Sequence, residues 1–134
     1  MELKKVSIKQ ELTPETIVST LFYYHDCAHL YHLATTSFAK HKMLDELYEA
    51  LVDTKDGISE YLLGIQAPKR FGAVTLQQVA PYSDENVTKM LQDGFQFSVK
   101  LCQYAESKGL EELCNKASDL QGLFVKSQYL NTLK

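Results

Sequence analysis

The chain contains no tryptophan, only three prolines and three cysteines, and no apolar run that approaches eighteen residues before Lys, Asp, Glu or His interrupts it. The missing apolar run excludes a membrane-spanning helix. The opening MELKKVSIKQELTP has no apolar segment of the kind that directs secretion, so a cytoplasmic location is expected. Cys27, Cys102 and Cys114 are odd in number, widely spaced and without a C-x-x-C pair. Packing inside helices is their expected role. A formal charge of -3 and a pI near 5.8 supply no general attraction to nucleic acid. Lys4, Lys5 and Lys9 form a small basic cluster that Glu2 and Glu11 dilute, so DNA binding is expected to be weak or absent.

What the chain does have is helical periodicity. With 134 residues and 45% apolar content it fits a single domain, here with a flexible tail over residues 1–12. Thr13-Pro14-Glu15 is a helix start, with a hydroxyl cap, a proline where its missing N–H is harmless and an acid in the first turn. Apolar residues then recur at helical intervals to about Leu33. A second helix restarts after Thr35, Thr36 or Ser37 and runs to Leu62 or Leu63, with Gly64 as its expected stop. Residues 65–82, IQAPKRFGAVTLQQVAPY, read as a long crossover holding one short helical candidate, TLQQVA. Ser83 or Asp84 caps a third helix that closes at Lys108-Gly109, and a fourth extends from about Leu110 toward Leu130. Two short connections and one long one predict an all-α, ferritin-like four-helix bundle in up-down-down-up order. Gly57, Gly94 and Gly122 fall inside these helices, where each costs about 1 kcal/mol relative to alanine. Close helix contact is one use for them.

Polar chemistry concentrates on the first two helices. His25, His29 and His32 share a face of the first, and His41, Asp45, Tyr48, Val52 and Asp56 share a face of the second, with Glu60 one turn further. Imidazole and carboxylate together suit Fe(II), Mn(II) or Zn(II). Yet His41 and Asp56 are separated by roughly 22 Å at 1.5 Å per residue, so they cannot share one ion within a chain. Two copies with their second helices antiparallel about a twofold axis bring His41 and Asp45 of one toward Asp56 and Glu60 of the other. His29 can join from the first helix, because the connection at 34–37 returns the chain beside it. The bland alternative is a polar helix face in a bundle that serves assembly or interaction, with structural or weak metal binding.

The pattern H29-x11-H41-x3-D45-x10-D56-x3-E60, followed through LDELYEALVDTKDGISEYLLG, resembles the DNA-protecting miniferritins of the Dps branch of the ferritin-like superfamily. The likeness is strongest over residues 14–64 and weaker at 118–133. It implies a ferroxidase centre shared between subunits, with His29, His41 and Asp45 from one and Asp56 and Glu60 from its neighbour. Iron is then both substrate and cargo, Fe(II) being oxidised with hydrogen peroxide and stored as ferric mineral. The implied assembly is a dimer at minimum and a dodecameric shell at most. Three departures narrow the expectation: Leu30 stands where the family commonly has tryptophan, Ala34 replaces a first-turn glycine, and no lysine-rich tail is present. Oxidation chemistry is thus favoured over DNA compaction, and dimerisation over a full cage.

Overall fold

The computed structural model describes residues 11–133. Of the expected tail only Glu11 and Leu12 fall in that range, and Leu12 is already buried in the core. Among the described residues the elements are α1 (Pro14–Ala34), α2 (Phe38–Gln66), α3 (Asp84–Ser107) and α4 (Glu111–Asn131). Three of the four starts carry a side-chain cap, and α4, which follows Leu110, has none. Thr13 and Thr16 form a reciprocal capping box on α1, Ser37 accepts from the Lys40 amide on α2, and Ser83 accepts from the Asn86 amide on α3. The third connection turns at Gly109, whose φ of 67° is the left-handed conformation that favours glycine.

The helices pack in a ring, α1 on α2, α2 on α4, α4 on α3 and α3 on α1. The crossover fixes their directions, because it runs the length of α1. Gly72 lies at the start of that helix, donating to Glu15 over 2.9 Å, and Tyr82 lies at its end, hydrogen-bonded to Thr35 over 3.0 Å. Helices α2 and α3 are therefore parallel, and the order is up-down-down-up, as expected. Leu21, Leu44, Leu51, Ile58, Leu91, Leu101, Leu120 and Phe124 are fully buried between them.

Two local expectations fail. The segment TLQQVA is not helical. Its terminal backbone acceptors are spent on α1 instead: Thr75 O accepts from Ser19 Oγ at its start, and Ala80 O accepts from Tyr31 Oη at 2.9 Å at its end. Gly64 does not end α2 either, since a helix tolerates the roughly 1 kcal/mol cost of one glycine. The helix ends where Pro68 forces extended backbone on Ala67, at φ -52°, ψ 142°.

Candidate functional site

In an antiparallel helical hairpin, residues equally far from the turn sit opposite each other. The turn between α1 and α2 lies at Thr35–Ser37, so His32 meets His41, and His29 and His25 fall beside Asp45 and Tyr48. The imidazoles of His32 and His41 stack with centroids 3.9 Å apart, and that of His29 stacks on Tyr48 at 4.4 Å. His25 meets the same tyrosine edge-on at 6.0 Å. Lys55, over the Phe22 ring at 4.2 Å, closes the lower end of the patch.

The hydrogen bonds fix which nitrogens remain available. His32 Nδ1 donates to His41 O and His41 Nδ1 donates to His32 O, both over 3.0 Å. A carbonyl oxygen only accepts, so Nδ1 carries hydrogen in both rings and the neutral ring keeps its lone pair on Nε2. The bond from His41 also satisfies one of the last carbonyls of α1, which no later amide of that helix can reach. His32 Nε2 stands 4.0 Å from Asp45 Oδ1. Burial, followed by the charge of Lys55, pushes His25 below the usual imidazole range, with Asp26 opposing the shift at 3.4 Å.

The predicted residues thus divide. His29, His41 and Asp45 all belong to the half-buried patch between α1 and α2. They do not converge as three ligands on one point, because the neighbour of His41 is His32 and that of His29 is Tyr48. Asp56 and Glu60 are exposed further down the same face of α2, beyond Val52. His32, expected to be auxiliary, is central, and its nearly equal distance from the turn to that of His41 was the signal for it.

The cysteines divide as well. Cys27 is fully buried, and burial pushes its thiol up to about 12, which suits a packing residue. Cys102 and Cys114 meet instead across the hairpin of α3 and α4. With Glu106 they form the only set of three such groups, among the described residues, whose ligand atoms all lie within 4.8 Å of one another. Cys102 Sγ donates to Glu106 Oε1 at 3.5 Å, and its thiol is raised first by burial and then by that carboxylate.

A profile described as a family of unknown function, DUF5856, matches residues 32–130. Among curated proteins, none matches the chain.

Proposed function

Because the chain belongs to the DUF5856 family of unknown function, its own site has to supply the reading, and we propose a miniferritin-like ferroxidase that oxidises Fe(II) with hydrogen peroxide at a centre shared by two copies. One observation carries this: the face of α2 bears an oriented imidazole patch at one end and an exposed carboxylate pair, Asp56 and Glu60, at the other. A twofold axis crossing that face between Tyr48 and Val52 superposes the two ends. The bundle order with a single long crossover, which ferritin-like proteins share, supports the reading.

The roles follow from donor type. His41 supplies nitrogen to Fe(II), His29 joins it by swinging off the Tyr48 ring, Asp56 and Glu60 of the second copy supply oxygen and neutralise charge, and Asp45 holds a second, weaker iron. His32 positions His41 through the reciprocal bonds. Two Fe(II) each give one electron to one hydrogen peroxide, which takes up two protons and leaves as two waters. Storage of the ferric product follows if the dimers close into a shell twelve times the 15.2 kDa chain mass.

Subunit complementation tests it. His41→Ala and Asp56→Ala are each expected to abolish rapid peroxide-dependent Fe(II) oxidation. Co-expressed in equal amounts, half of the pairs are mixed, and each mixed pair has one intact centre and one doubly defective one. About a quarter of the parent rate should return. Failure of the mixture to recover any rate, with both variants folded and dimeric, refutes a shared centre.

The mutual Nδ1 bonds of His32 and His41 favour a second reading, in which the pair clasps the end of α1 to α2 in a non-catalytic assembly protein. An anaerobic Fe(II) titration without saturable sites would select it.

A further inference from the structure

The second cluster lies between different helices from the histidine patch and stands independently of the ferroxidase reading. We propose that Cys102, Glu106 and Cys114 form a binding site for a thiophilic divalent cation of the Zn(II) class, with one coordination position left open to solvent.

Sequence and fold create the set in two steps. Cys102 and Glu106 are one turn apart on α3, so their side chains project from one face. Cys114, in the first turn of α4, is as far past Lys108 as Cys102 is before it, and the tight turn at Lys108–Gly109 lays the two beside each other. The three ligand atoms lie within 4.8 Å of one another, on two elements held by a well-packed hairpin.

The spacing matches the ion. A tetrahedral Zn(II) with Zn–S of about 2.3 Å and Zn–O of about 2.1 Å separates sulfur from oxygen by roughly 3.6 Å. Cys102 Sγ and Glu106 Oε1 are 3.5 Å apart. Two thiolates and a carboxylate carry three negative charges against the two positive charges of the ion. Thiolate sulfur selects Zn(II) and its soft analogues over Mg(II) or Ca(II), which take oxygen donors. Cys102 and Cys114 are half-buried while Glu106 is exposed, so the sulfurs sit on the protein side and the fourth position faces water. Three protein ligands and one open position make up the donor count of reactive rather than closed structural zinc sites. Cys27, sealed in the core, cannot contribute.

Co(II) is the probe, because a cobalt–thiolate bond gives a near-ultraviolet charge-transfer band that histidine and carboxylate ligands do not. The reduced, full-length protein is titrated anaerobically with Co(II) and then with Zn(II). The expected result is a band that saturates at one Co(II) per chain, is displaced by Zn(II) and persists in His41→Ala. It should vanish in Cys114→Ser. The exposed Glu106→Gln, which leaves the fold intact, should raise the Kd at least about tenfold while keeping the band. A reduced parent protein that develops no thiolate–cobalt band, or a band that survives Cys114→Ser, overturns the site.

Discussion

Substituting Gly94 by alanine asks the bundle for space it does not have. A Cβ at this position would lie 2.7 Å from Cδ1 of Phe124 and closer still to Cε1 and Cζ. Phe124 is fully buried, and Tyr24 packs edge-on against its ring at 5.4 Å, so the ring has no free direction to retreat. Two effects compete. Alanine is better than glycine in a helix interior by about 1 kcal/mol. Overpacking a filled core costs about 1–3 kcal/mol, and a contact this far inside van der Waals range belongs at the upper end. The net expectation is a loss of about 2 kcal/mol, or roughly 8 °C in Tm for a chain of this size. Urea and thermal unfolding followed by helical circular dichroism would measure it. Phe124→Leu supplies the control: it should destabilise the Gly94→Ala background by at least about 1 kcal/mol less than it does the parent, because the smaller side chain relieves the clash. A Gly94→Ala variant as stable as the parent would refute the claim that this glycine exists to let α3 approach α4.

Two further outcomes follow from the same structure. At Gly122 nothing lies within 4 Å of an added Cβ, so Gly122→Ala should stabilise by about 1 kcal/mol, read as a higher urea midpoint; an unchanged or lower midpoint would contradict the open surroundings. The folded state holds His25 below its ordinary value of 6.5. It therefore binds fewer protons than the unfolded chain as pH falls below that value, and stability drops in that direction. Between pH 7.5 and pH 5.5 the parent should lose stability relative to His25→Gln, and a difference independent of pH would rule the assignment out.

The periodicity of the sequence was enough to place four helices, the cap at Thr13 outright and those at Ser37 and Ser83 among two or three adjacent residues, and the lengths of the connections gave the directions in which the helices run. It was less informative wherever two distant segments had to choose between partners. Gly57, Gly94 and Gly122 look alike in the sequence, yet only Gly94 faces a ring; which neighbour fills the space is a property of α4, not of the glycine. TLQQVA has helical composition, but Ser19 and Tyr31 offer its backbone better-placed donors than a lone helical turn would. At the site, residue type pointed to His29, His41, Asp45, Asp56 and Glu60, while distance from the turn decided that His32 would be the neighbour of His41. The same counting pairs Cys102 with Cys114 about Lys108. Reading each cysteine on its own helix hid that pair. Ligand type was legible from composition, and partnership needed the hairpin register.

The crossover is fastened to α1 in an unequal way, since the helix side contributes side chains and the crossover contributes mainly backbone groups, the carbonyls of Thr75 and Ala80 and the amide of Gly72. Every residue has a carbonyl, so at Thr75 and Ala80 the hydrogen bonds do not depend on which amino acid stands there. Leu76 and Gln78 between them are exposed. The path of this segment is thus encoded partly in the helix it lies on, at Ser19 and Tyr31, and partly in its own Phe71, Val74, Val79 and Tyr82, which pack against the core. The exposed positions Leu76 and Gln78 can therefore change without moving its course, and a recognition surface for some other molecule can be written onto them without disturbing the bundle beneath.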